Sequence, residues 1–156
     1  MALTKLDQLY RAVILDHSQS PRRRGTLDKA TAKIELRNPT CGDVIQVQLA
    51  LEEDKITDVR FDGSGCTISM ASASMMTEAI LNKTIDEALH LSEEFSELVQ
   101  GNEPEDKEAL GDATILSGVA KFPARIKCAT LSWKALEKAL ADDGTGVDGQ
   151  ISHDID

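Results

Sequence analysis

Aromatic side chains are nearly missing from this sequence. One Trp, one Tyr and three Phe make up 3% of 156 residues, too few for a platform on which bases stack. Basic charge is also short. Seventeen Lys and Arg stand against 27 Asp and Glu, a net charge of −10, which argues against the basic face that nucleic acid or an anionic membrane surface requires. No apolar run nears the roughly 18 residues that span a bilayer, and Met1–Asp7 is polar where a signal peptide is apolar. The expectation is a cytoplasmic protein with neither nucleic acid nor membrane as partner. Cysteine is scarce: there are three, an odd number, with no Cys-x-x-Cys pair. In a reducing compartment such a set favours metal binding or thiol chemistry over a disulfide.

What is present suits one domain with a core, at 41% hydrophobic and 28% charged residues. There is no internal repeat. Leu6, Leu9, Tyr10, Val13 and Ile14 form one apolar stripe, which predicts a helix over 4–16. The stretch from Ser18 to Gly25, with Arg22-Arg23-Arg24, reads as a solvated loop or docking patch. Three strands follow. They are marked by Ile34 and Leu36, by Ile45, Val47, Leu49 and Leu51 in alternation with Gln46 and Gln48, and by Ile56, Val59 and Phe61. Short connections, with a turn at 52–55, favour an antiparallel meander. The remainder reads as helical. A small-residue helix is expected over 67–82, a short helix opened by a capping box at Thr84–Glu87, and a second from Ser92 to Gln100 stopped by Gly101. One more short helix is expected over 113–119, then a final one with Ala129, Trp133, Leu136 and Leu140 on one face. Strands first and helices after predict an α+β fold, a three-stranded antiparallel sheet with helices packed on one face. The domain is expected over 1–141, with an acidic disordered tail at 142–156.

The cysteines fall at element boundaries. Cys41 stands two residues before Asp43, so in extended chain both side chains face one way. The bland alternative is a tight turn with a buried thiol and an Asp that caps backbone amides. Cys66 follows Gly63-Ser64-Gly65 at a helix N-terminus, where the dipole favours thiolate. The alternative is a glycine turn with the thiol packed beneath it; a phosphate loop lacks its Lys. Cys128 is flanked by Arg125 and Lys127, which either stabilise a thiolate or pair with surface carboxylates. Three cysteines and Asp43 make four ligands suited to a tetrahedral ion. Their charge of −4 becomes −2 with a divalent metal, and Arg125 and Lys127 could offset that. The three histidines fit no local metal motif; His17 and His90 read as solvated or capping groups.

These motifs resemble those of the IscU/NifU-type iron–sulfur scaffold family, in its SufU branch. The resemblance rests on Tyr10 through Asp16-His17 to Pro21-Arg22 and Gly25, on Cys41-Gly42-Asp43, on Gly65-Cys66 with the Ser/Ala-rich stretch after it, and on Cys128 opening the last helix. It covers about residues 4–140. Three features point to the SufU branch. Lys127 stands where scaffold members have histidine, Phe122-Pro123-Ala124-Arg125-Ile126 replaces a chaperone motif, and an extra helical segment spans about 84–110. The resemblance implies a zinc-dependent sulfurtransferase that accepts persulfide sulfur from a cysteine desulfurase and passes it to a downstream scaffold or other acceptor. Zinc would be held by Cys41, Asp43, Cys66 and Cys128. Cys41 would leave the metal to act as acceptor, with Arg125 steadying its thiolate. Two alternatives are a scaffold that builds a [2Fe–2S] cluster, or iron, on the same side chains and a non-catalytic desulfurase activator with structural zinc.

Overall fold

Alternation of Ile45, Val47 and Leu49 with Gln46 and Gln48 makes the middle strand of a sheet with one apolar face. The computed structural model describes residues 5–27, 32–38, 42–105, 107–121 and 123–141. Strands β1 (Ala32–Asn38), β2 (Asp43–Glu52) and β3 (Lys55–Ser64) form an antiparallel sheet in the order β1-β2-β3, the expected meander. Ile34 pairs with Val47 and Leu36 with Ile45, while Phe61 pairs with Val47 and Val59 with Leu49. All seven side chains are fully buried. Lys33, Glu35, Arg37 and Arg60 remain half-buried or exposed, as a sheet with one covered face requires.

Helices α2 (Thr67–Ile80) and α5 (Pro123–Ala141) cover that face, α5 on β1 and β2, α2 on β3. Helix α1 (Lys5–Gln19) packs on α2. Helix α3 (Ile85–Val99) packs on α5 and on a 3₁₀ segment, Gly111–Lys121, that follows the four-residue α4 (Lys107–Leu110). The fold is the expected α+β arrangement. Helix α1 runs past the expected end at 16; Val13 and Ile14 of its stripe pack on the core, and the side chains of Leu6, Leu9 and Tyr10 lie outside the described residues. Cys41, Pro39, Thr40 and the segment 142–156 also lie outside them.

Three expectations need correction. The two short helices expected over 84–100 are one continuous helix, because Ala88, Leu91, Ser92, Phe95, Leu98 and Val99 form a single buried stripe. Ser92 is not a start signal. It is buried and donates to Glu137 Oε2. The short helix expected over 113–119 is a 3₁₀ segment of 11 residues. The arginine run is an irregular loop, as expected, but it is docked on the sheet rather than free in solvent. Gly25 N–H donates to Phe61 O (2.8 Å) and Phe61 N–H to Arg23 O (3.1 Å), so this segment covers the outer edge of β3. Arg22 pairs with Asp16 at 2.7 Å, and Arg24 Nη2 donates to Gly63 O at 2.9 Å.

Candidate metal centre

The end of the sheet where β2 begins and β3 ends meets two helices. Asp43 is the first residue of β2 and is 2% exposed. Cys66 is the N-cap of α2, with extended backbone (φ −72°, ψ 171°) and no capping bond from its side chain. Cys128 lies in the second turn of α5 and is 1% exposed. One ligand atom from each of the three falls within 4.8 Å of the others. Helices α2 and α5 approach closely because α2 offers small residues on the shared side. Ser69 Oγ donates to Cys128 O (3.2 Å) and Ser72 Oγ to Ala129 O (2.5 Å). Those two bonds set the level of Cys128 along α2, opposite the helix start that carries Cys66.

Asp43 is held from several sides. Its Oδ1 accepts the Cys66 backbone N–H at 3.0 Å, and its Oδ2 accepts from the Ser69 hydroxyl and faces the Cys66 sulfur at 3.7 Å. Ser69 Oγ also lies 3.6 Å from Cys66 Sγ. Glycine makes room for this. A Cβ on Gly65 would stand 2.9 Å from Asp43 Oδ1 and 3.0 Å from Ser69 Cβ. Gly63 has φ +133°, and a Cβ there would meet Val44 O at 2.0 Å. The Arg125 guanidinium belongs to the group. Its pKa is held above the ordinary value, first by the charge of the Cys66 sulfur and next by a hydrogen bond to Cys128. It is exposed, so it can follow a thiolate at the surface. Lys127, expected beside it, makes no ion pair among the described residues.

Four of the five residues singled out by sequence, Asp43, Cys66, Cys128 and Arg125, therefore come together; Cys41 lies outside the described residues. Sequence reasoning missed Ser69, although its place three residues after a helix N-cap put it on the face that looks back at that cap. It also misread His17, which is fully buried. The donor set fits zinc. Two sulfurs and a carboxylate are usual zinc ligands, and tetrahedral arms of about 2.0–2.3 Å require ligand atoms roughly 3.3–3.8 Å apart. An apolar groove of about 630 Å³ adjoins the group, lined in part by Arg11, Leu15, Ile68, Val119 and Arg125.

Fold and site together define a class: small α+β proteins that gather cysteines and a carboxylate where one end of a meander sheet meets two helix starts. The NifU-like N-terminal domain family matches residues 9–142. The chain belongs to that family, and it is an iron–sulfur cluster assembly protein of the IscU/SufU type. It is 55% identical over 140 residues to the iron–sulfur cluster assembly scaffold protein IscU of Streptococcus pyogenes serotype M1, covering 90% of this chain and 87% of that one. It is 54% identical over 141 residues to the zinc-dependent sulfurtransferase SufU of Bacillus subtilis strain 168, covering 90% and 95%. Among solved structures it resembles a proposed iron–sulfur cluster assembly scaffold protein for the SUF system from Fervidobacterium islandicum AW-1. There the TM-score is 0.78 and the identity 37%, over 82% of this chain and 93% of that one. No described helix is long and apolar enough to cross a membrane.

Proposed function

We propose that this chain is a cytoplasmic zinc-dependent sulfurtransferase. It takes sulfur from the persulfide of a cysteine desulfurase and delivers it to a downstream scaffold or another acceptor. Cys41, Asp43, Cys66 and Cys128 would hold the metal. The observation that carries this reading is the convergence of Asp43, Cys66 and Cys128 within 4.8 Å, with Arg125 against both sulfurs. The 54% identity to a protein named zinc-dependent sulfurtransferase supports it. Zinc bound there would keep the thiols deprotonated and prevent them from pairing as disulfides.

The transfer itself belongs to the chain. The Cys41 thiolate attacks the outer sulfur of the partner's persulfide. The sulfur–sulfur bond in the partner breaks, its cysteine leaves as thiolate, and the terminal proton travels with the transferred sulfur, leaving a persulfide on Cys41. Cys41 suits the role because Gly42 beside it takes φ +75° where an added Cβ would meet nothing within 4 Å. Attack requires that its sulfur be free of other bonds when the partner docks. Arg125, exposed and already drawn to sulfur, would then steady the released thiolate. The apolar groove beside Arg125 supports docking of a partner segment at this end of the sheet.

The test combines metal analysis with mass measurement after incubation with a desulfurase and cysteine. The wild type should carry one zinc more than Cys66→Ala and gain a sulfur atom on the Cys41 peptide. Cys41→Ala should gain none; acceptance at the wild-type rate would overturn the assignment. The 55% identity to a protein named scaffold favours a second reading, assembly of a [2Fe–2S] cluster on the same ligands. Anaerobic reconstitution with iron and sulfide separates the two, since a scaffold becomes stably coloured and a zinc site excludes iron. Selective blocking of Cys41 with zinc retained separates both from a pure activator, which would stimulate the desulfurase undiminished.

A further inference from the structure

A second set of ligand-type side chains lies at the other end of α2, twelve residues and about 18 Å of helix rise from Cys66. His17, in the last turn of α1, is fully buried. Its Nδ1 is 2.8 Å from Ser74 Oγ, and its Nε2 is 2.9 Å from Asp112 Oδ2 and 3.6 Å from Glu78 Oε1. One ligand atom from each of His17, Glu78 and Asp112 falls within 4.8 Å of the others. We propose that His17, Glu78 and Asp112 form a second divalent-cation site, for zinc or a similar borderline ion held by nitrogen and oxygen. Such an ion would clip α1, α2 and the start of the 3₁₀ segment together.

Hydrogen bonding at Ser74 allows two closed arrangements. Ser74 Oγ already accepts the Arg22 N–H at 2.8 Å, and its hydroxyl is free to rotate. When it donates to His17 Nδ1, Nε2 carries the proton and donates to Asp112, and the group is satisfied without metal. When it accepts from Nδ1–H instead, the Nε2 lone pair faces two carboxylates. Three acceptors then point at one another, and either a second ring proton or a divalent cation resolves them. A ring fixed through its far nitrogen by a protein oxygen is how metal-binding histidines are commonly held.

Spacing and charge agree with an ion. Arms of about 2.1 Å place tetrahedral ligand atoms roughly 3.4 Å apart. The Nε2–Glu78 distance of 3.6 Å meets that, and Asp112 has only to withdraw by about half an ångström from its hydrogen bond. Asp112 is 53% exposed and Glu78 42%, so both carboxylates can adjust and water can complete the coordination. Glu78, Asp112 and Asp16 carry −3 between them, and Arg22, bound to Asp16, returns +1. The remaining −2 equals the charge a divalent ion would neutralise.

The experiment titrates the full chain with zinc, and in parallel with cobalt(II), and compares it with the double variant E78Q/D112N. Both replaced side chains are exposed, so the fold should survive. The wild type should bind one equivalent more than the variant. With cobalt, that extra equivalent should lack the thiolate charge-transfer absorption of a cysteine site and should shift the His17 ring-nitrogen NMR signals. Equal stoichiometry in both proteins would overturn the proposal. An extra equivalent that leaves the His17 signals unmoved would overturn it as well. The outcome is independent of the thiol site, whose occupancy is read from the thiolate absorption.

Discussion

Two glycines near the metal centre, Gly63 and Gly42, do different work. At Gly63 the chain needs both φ +133° and the absence of a Cβ that would overlap the Val44 carbonyl at 2.0 Å. That neighbour is backbone inside a strand pair and cannot yield. Gly63→Ala should therefore cost on the order of 3 kcal/mol. Gly42→Ala, at φ +75° in open space, should cost only about 1 kcal/mol. Urea denaturation of both variants measures the gap, and equal costs would remove the role given to the close contact. Gly65 presses on the metal centre instead. Its missing Cβ leaves room for Asp43 Oδ1 and Ser69, both of which are side-chain groups that can shift. Gly65→Ala should keep stability within about 1 kcal/mol while lowering zinc affinity by roughly tenfold or more, the usual effect of disturbing a ligand's support. A competition titration against a chelator reads this directly.

Helix α2 is the element on which the site depends, and its serines show how. Ser72 Oγ donates to Ala129 O and accepts the indole N–H of Trp133 at 3.1 Å. Trp133 in turn stacks on Phe95 of α3, with centroids 4.6 Å apart and planes 12° from parallel. One hydroxyl thus couples α2 to α5, and through α5 to α3. Ser72→Ala would strand a buried indole N–H and should lower stability by about 1–3 kcal/mol, seen as a lower denaturation midpoint with an unchanged slope. Helix α3 begins on a true capping box. Glu87 N–H donates to Thr84 Oγ1 at 3.1 Å, and Thr84 N–H donates to Glu87 Oε1 at 3.0 Å. That backbone bond holds the Glu87 pKa below its ordinary 4.5. A depressed carboxylate stabilises fully above the unfolded value, and the benefit disappears as pH falls through the folded one. The stability deficit of Glu87→Ala should accordingly be full at neutral pH and shrink below about 4.5. The box was legible in the sequence because its two residues lie three apart. The length of α3 was not, because Ser92 resembles a start signal until its partner, Glu137 on α5, is known. His17 reads as solvated or capping for the same reason: its partners Ser74 and Asp112 are 57 and 95 residues away.

For the whole molecule, the sequence carried the sheet and three residues that meet at its end, but not the scaffolding around them. Alternation along β2 was visible because side chains on a strand repeat every two residues. Asp43, Cys66 and Cys128 could be grouped by residue type and by their place at element boundaries. Nothing local says that Ser69 would join Asp43 to the carbonyl of Cys128, since that needs α2 and α5 already in contact. The same convergence makes a prediction about the metal. Asp43 opens β2, Cys66 caps α2 and Cys128 lies in the second turn of α5. Zinc bound to all three would therefore join a strand to two helices distant in sequence. Binding to the folded state alone stabilises it by about 4 kcal/mol when free metal is a thousand times the dissociation constant. Chelation should lower the melting temperature accordingly. The loss should also be local. Amide hydrogen exchange should speed up at the first turn of α2, the first two turns of α5 and the Asp43 end of β2. The far hairpin at Glu53-Asp54 and the Phe95–Trp133 contact should exchange as before, because the hairpin lies at the end of β2 opposite Asp43 and the two rings are buried in the core. Acceleration spread evenly over the sheet, or none at the three named places, would mean that the metal does not sit where these side chains meet.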